Sequence, residues 1–247
     1  MVDRNSFRLS ATLLLIGLVV SGVSQSQLVH PGSSTPTDQA QFAAYLMSSD
    51  WAAVHLVEFA GAAITTAGLL VLFFALDISQ GTPRWVWFFA AVSEAVAVAL
   101  AAVVYAVDGV ALKHALDAWA SAPAADKPAM FASAEALRWL ETGTRSYQEF
   151  MSGLALVLFA ITIIWTARVA RPIGYLMGLS GLLLTAMSWI AATQGLDSAT
   201  RSILFLTVGL FMSIWTIWLV IAAWRMKASV QVGPAPVHSP TVPASRY

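Results

Sequence analysis

WAAVHLVEFAGAAITTAGLLVLFFAL, residues 51–76, decides the architecture. A hydrocarbon core about 30 Å thick needs roughly 20 residues of helix, and this run supplies them. Yet His55 and Glu58 sit inside it, one helical turn apart. A charged side chain at the bilayer centre costs about 2.5–3.5 kcal/mol even on the gentlest scale. Groups of this kind therefore turn towards a bundle interior or a wet cavity. The segment reads as one member of an all-α, polytopic membrane helical bundle with a polar inner face.

Composition supports that reading. Of 247 residues, 58% are hydrophobic and 11% charged, with mean hydropathy +0.73; soluble domains carry roughly 25% charged residues. Net charge is zero and no basic tract occurs, which argues against nucleic acid as a partner. The absence of cysteine removes disulfides, thiolate nucleophiles, Cys-ligated zinc, iron–sulfur clusters and c-type haem, and leaves the redox compartment open.

Six stretches are long and apolar enough to span: about 10–28, 51–76, 85–107, 148–167, 172–193 and 202–224. Arg4 and Arg8 before a Leu/Val-rich run and SGVSQSQ also outline a signal peptide that would remove 1–24. The lack of an A-x-A-like site favours a retained helix. Arg4, Arg8, Arg84, Arg168, Arg171, Arg225, Lys227 and Arg246 fall on one side, against Lys113, Lys127, Arg138, Arg145 and Arg201 on the other. The positive-inside rule then puts both termini in the cytoplasm of a multi-pass cell-membrane protein.

The two long connections lie outside on that assignment. Cap helices are expected within 37–50, with Phe42, Tyr45 and Leu46 on one side, and within 109–142, where Asp108-Gly109 breaks the third span. The second cap helix repeats Met130, Phe131, Ala134, Leu137 and Leu140 at helical spacing. Residues 1–227 form the membrane domain, and 228–247, rich in proline without periodicity, a disordered cytoplasmic tail.

His55, Glu58, Ala62 and Thr65, with Thr66 beside them, line one face of the second span. Glu94, Val98, Ala101, Tyr105 and Asp108 line one face of the third. At about 1.5 Å per residue the stripes match in depth, His55 with Tyr105 and Thr65/Thr66 with Glu94. Glu149 on the fourth span enters near the top. An outward-opening pocket between these three helices is expected, lined by His55, Glu58, Thr65, Thr66, Glu94, Tyr105, Asp108 and Glu149. Close approach is expected through Ala91, Ala95 and Ala99, and through the Gly174/Gly178 pair. EFAG at 58–61 echoes EFMSG at 149–153.

Each of these residues also has a plainer reading, as a hydrogen-bonded fastener between helices. His114 and Asp117 read as a solvated face of a cap helix. One metal on His55, Glu58 and Glu149 has acceptable ligand chemistry. No cofactor is implied: a bis-histidine haem lacks its second intramembrane histidine, and no span carries a lysine for a retinal Schiff base.

LVEF (56–59) and VSEAVAV (92–98) resemble segments of a broad bacterial group of six-helix integral-membrane domains of unassigned function. The resemblance implies the architecture and carries no activity. The leading expectation is an outward pocket for a small molecule, a lipid or a proton, without catalysis. An intramembrane enzyme using Glu58, Glu94 and His55 on a lipid-like substrate is the alternative. A third reading is a structural subunit held to another membrane protein through 108–146.

Overall fold

The computed structural model describes residues 2–25, 38–78 and 80–226. The Pro31–Pro36 loop, Lys227 and the expected tail 228–247 lie outside the described residues. Eight α-helices follow in order, α1 (Arg4–Ser24), α2 (Asp38–Leu46), α3 (Trp51–Ala75), α4 (Gly81–Ala106), α5 (Lys113–Ser121), α6 (Lys127–Thr166), α7 (Arg171–Gln194) and α8 (Ala199–Arg225). A π-helical turn, Val107–Leu112, joins α4 to α5. Strands are absent among the described residues. Six rods are long and apolar enough to cross a membrane: α1, α3, the α4–α5 rod, α6, α7 and α8.

These rods form a closed ring. α1 packs on α3, α3 on α4, α4 on α6, α6 on α7, α7 on α8, and α8 returns to α1. Large apolar residues such as Phe89, Leu182 and Leu206 face outward and stay more than half exposed, which lipid tolerates and water does not. The chain is a multi-pass membrane bundle, with one end carrying both helical termini and the other covered by a cap.

The terminal end is packed with apolar side chains. Trp87, Phe159, Ile173, Trp215 and Leu219 meet there, with the Trp87 and Phe159 ring centroids 4.6 Å apart. Backbone contacts tie its connections together: Asp3 N–H donates to the Ala75 carbonyl (3.0 Å), and Arg8 Nε to the Ala223 carbonyl (3.2 Å). Asp3 also caps α1 through the amides of Asn5 and Ser6. The Ser6 hydroxyl and these amides hold its carboxyl below the usual carboxylate range.

Small residues set the tightest helix contacts. A Cβ placed on Gly17 of α1 would collide with Thr65 Oγ1, and one on Gly61 of α3 would lie 2.5 Å from Ser21 Oγ. Across the ring, a Cβ on Gly153 of α6 would meet Thr185 Oγ1 at 2.6 Å and the Gly181 carbonyl at 2.7 Å. By contrast, Ala95 and Ala99 face outward. The inward stripe of α4 is Trp87, Ala90, Glu94, Ala97, Ala101 and Val104, one position round from the alanine row expected to make the close approach.

Two expected breaks do not occur. α6 is one helix of 40 residues from Lys127 to Thr166, about 60 Å long, and merges the second cap helix with the fourth span. Gly143 costs a helix only about 1 kcal/mol relative to alanine. The Thr142 and Thr144 hydroxyls turn back onto the Arg138 and Leu140 carbonyls at 2.8 Å. The helix stops at Ala167, in the left-handed region at φ 49°. Likewise Asp108-Gly109 does not end the third span, because the π-helical turn carries the rod on into α5.

The cap has its own small core of Phe42 and Tyr45 from α2, Trp51, Leu112, Leu116 and Ala134. Phe42 and Tyr45 are buried as their spacing requires, whereas Met130 and Leu140 are exposed. Since α6 is about twice the thickness of a hydrocarbon core, its first half rises out of the ring to build this cap. α2 and α5 pack alongside.

A candidate site in the buried charge cluster

Beneath the cap, His55 occupies the first turns of α3 and is 1% exposed. Its Nδ1 lies 2.7 Å from the Trp51 carbonyl, and its Nε2 lies 3.0 Å from Asp108 Oδ2. The carbonyl can only accept, so Nδ1 carries the hydrogen. Trp51 closes the arrangement by donating its indole Nε1–H to the Asp108 carbonyl at 2.8 Å.

The π-helical turn makes this meeting geometrically open. An extra residue in the turn brings Asp108 and Gly109 to the same side, and both are buried. Gly109 is needed there: a Cβ would lie 2.6 Å from His55 Cβ. Tyr105, one turn earlier and half-buried, completes the surround with its ring centroid 6.4 Å from that of His55.

From α6, three charged residues and Glu149 face the same region at i, i+3, i+7 and i+11. Arg145 Nη2 lies 3.0 Å from Glu141 Oε1 and 3.6 Å from Asp108 Oδ2, with its guanidinium over the Tyr105 ring at 5.8 Å. Glu141, fully buried, takes Arg138 on its other oxygen. Glu149 is paired with Arg201 from the first turn of α8. Asp108 Oδ1, Glu149 Oε2 and Arg201 Nε have no hydrogen-bond partner among the described residues.

Deeper in the bundle, Thr66 Oγ1 donates to Glu94 Oε1 at 2.9 Å, and both residues are buried. Glu58 is 4% exposed and makes no hydrogen bond or ion pair among the described residues.

The structure thus brings His55, Glu58, Tyr105 and Asp108 under the cap, and Thr66 to Glu94 near mid-depth. Thr65 is elsewhere: it faces Gly17 of α1 and donates to the Gly61 carbonyl at 3.0 Å. One residue along a helix is a turn of about 100°, which separates it from Thr66. Glu149, on the same face of α6 as Glu141 and Arg145, is paired with Arg201 of α8. Among the described residues no three His, Asp or Glu side chains form a metal-ligand set. The trio His55, Glu58 and Glu149 is divided because Asp108 takes His55 and Arg201 takes Glu149. His114 is exposed, and Lys113 pairs with Asp117 at 3.1 Å.

Sequence reading missed Arg138, Glu141, Arg145 and Arg201 as members of the cluster. For the first three the signal was present, as a one-face spacing continuous with Glu149. Arg201 has no such signal, because its partner is 52 residues away.

Two cavities stand out among the described residues. A small one of about 60 Å³ lies in the cap between Phe42, Arg138, Thr142 and Asp197. An apolar groove of about 260 Å³ runs between α6 and α7. Neither is lined by His55, Glu58, Asp108 or Arg145. Comparison with family models, with curated proteins and with solved structures finds no match for this chain.

Proposed function

We propose that this multi-pass membrane protein binds a proton at the His55–Asp108 contact and adjusts its cap to proton availability. One observation carries the reading. His55 stands between two acceptors, the Trp51 carbonyl and the Asp108 carboxylate. Satisfying both requires a hydrogen on each ring nitrogen, hence an imidazolium.

Charge balance supports the same proton. Asp108, Glu141 and Glu149 balance Arg138, Arg145 and Arg201, so a neutral cluster holds one proton between His55 and Glu58. The two acceptors around the imidazole put that proton on His55. The groups facing His55 are Glu58 on its own helix, Tyr105 and Asp108 on the α4 rod, and Arg145 with Glu141 on α6. A proton is also a ligand that needs no cavity.

The mechanism follows from the contacts. While His55 holds its proton, it joins the first turn of α3 to the π-helical turn that leads into the cap. As pH rises past the point where His55 releases it, Nε2 loses its hydrogen, the Asp108 contact becomes acceptor against acceptor, and one negative charge is left uncompensated. The cap then loosens from the ring. Arginines crowd the opposite, terminal end, so the cap faces the outside of the cell membrane on the positive-inside rule.

Infrared pH titration of the protein in nanodiscs tests this. One proton should titrate in the wild type, and that component should vanish in His55→Gln and shift in Glu58→Gln. A titration indifferent to both substitutions would overturn the reading.

A further inference from the structure

We infer that the groove between α6 and α7 at the terminal end is a seat for an anionic phospholipid, one acyl chain lying in the groove and the phosphate at Arg171. The groove holds about 260 Å³ and is lined by Ala160, Ile161 and Ile164 of α6 and by Gly178, Leu179 and Leu182 of α7. It opens away from the ring, since Ile161, Leu179 and Leu182 are 42%, 39% and 60% exposed. Its wall from Gly174 to Leu182 extends about 12 Å along α7, parallel to a lipid chain.

Charge complementarity selects the headgroup. Arg171, Gly174, Tyr175, Gly178 and Leu182 follow at i, i+3, i+4, i+7 and i+11, so the arginine stands at the mouth on the groove's own face. Its Nε is fixed on the Ile164 carbonyl at 3.2 Å. Both Nη groups remain without a hydrogen bond among the described residues, a fork shaped for a phosphate. Trp165 and Tyr175, 58% and 59% exposed, sit where headgroup-level aromatics belong. Around them the terminal end carries Arg4, Arg8, Arg84, Arg168 and Arg225 against Asp3 and Asp77.

A second copy of the chain is a poorer fit. Gly174 and Gly178, the small-residue pair that would receive it, are already used against α6. Their Cβ positions would lie 2.8 Å from Ile164 Cγ1 and 3.1 Å from Ala160 Cβ.

The experiment compares phosphatidylglycerol and phosphatidylcholine of equal chain length, added to the full-length protein in detergent and read by native mass spectrometry. Phosphatidylglycerol should bind about tenfold tighter, the scale of one charge-assisted contact. Arg171→Gln should erase that preference, and Leu179→Trp, which fills the groove, should weaken both lipids. A phosphatidylglycerol with a photoreactive acyl chain should label Ile161 and Leu179 in the unsubstituted protein, so the test survives a variant that fails to fold. Equal affinities in the wild type, a preference that persists in Arg171→Gln, unchanged binding in Leu179→Trp, labelling elsewhere, or a crosslink to a second copy would each overturn the inference.

Discussion

Arg145 holds the charge cluster together, and replacing it with methionine isolates what the cluster contributes. Its guanidinium faces Glu141 at 3.0 Å and Asp108 at 3.6 Å. With an effective dielectric of about 20, Coulomb's law gives roughly 5 kcal/mol of attraction for each contact. Removing the guanidinium from water costs several kcal/mol in return. Loss of one partner from a buried network leaves an uncompensated charge, and the net penalty is about 3–5 kcal/mol. Methionine keeps the apolar stem of arginine and ends short of the guanidinium, so the substitution removes the charge while the stem's packing is retained. Reversible unfolding in bicelles should therefore show Arg145→Met destabilised by about 3–5 kcal/mol. Arg145→Lys should recover part of this, since a lysine restores the charge without the fork that reaches both carboxylates. A loss below about 1 kcal/mol, the value of a solvated surface pair, would refute the argument that these charges are buried and interdependent.

Gly109→Ala places a methyl 2.6 Å from His55 Cβ, beside a ring set between the Trp51 carbonyl and Asp108. A cost of about 1–3 kcal/mol is expected from overpacking, with the His55 imidazole resonances displaced; unchanged spectra would contradict the close approach. Thr66→Val removes the only hydrogen bond that Glu94 makes among the described residues. Buried interhelical hydrogen bonds in membranes are worth about 0.6 kcal/mol on average and up to about 1.7, so a chemical-unfolding shift in that range is expected. Ala167→Gly relieves a left-handed residue at φ 49° and should leave stability equal or raise it by up to about 1 kcal/mol, read from the same curves.

The bundle itself was legible because its signals are local. Runs such as 85–107 and 202–224 exceed the length of a bilayer core, and nothing but a membrane helix explains them. The facing stripes on α3 and α4 were legible in part: the spacing picked out His55, Glu58, Glu94 and Asp108, but it carried Thr65, which faces α1, with Thr66 only beside it. What escaped is non-local or depends on how a weak breaker is resolved. A cap helix ending by 142 and a fourth span starting near 148 read as separate elements, yet the Thr142 and Thr144 hydroxyls turn back onto their own helix and α6 runs through Gly143 unbroken. Once α6 is cut there, Arg138 and Glu141 fall on a cap helix and Arg145 in a loop, and their alignment with Glu149 disappears. Asp108-Gly109 misled in the same way, since the dipeptide signals a turn, and a π-helical turn is a turn that does not end the rod.

The EFAG and EFMSG echo has a physical counterpart. In each segment the glutamate, Glu58 or Glu149, is buried, and the following glycine, Gly61 or Gly153, is where a neighbouring helix comes closest. The pattern serves opposite neighbours, α1 for the first and α7 for the second.

The protonation of His55 bears most directly on the account. Solid-state nitrogen NMR of ring-labelled histidine in lipid, assigned with His55→Gln, reads it without any assumption about function. Hydrogens on both ring nitrogens at neutral pH, with the second lost on raising the pH or on Asp108→Asn, are the expected result. A neutral ring carrying a bare nitrogen at neutral pH would contradict the proposal at its root.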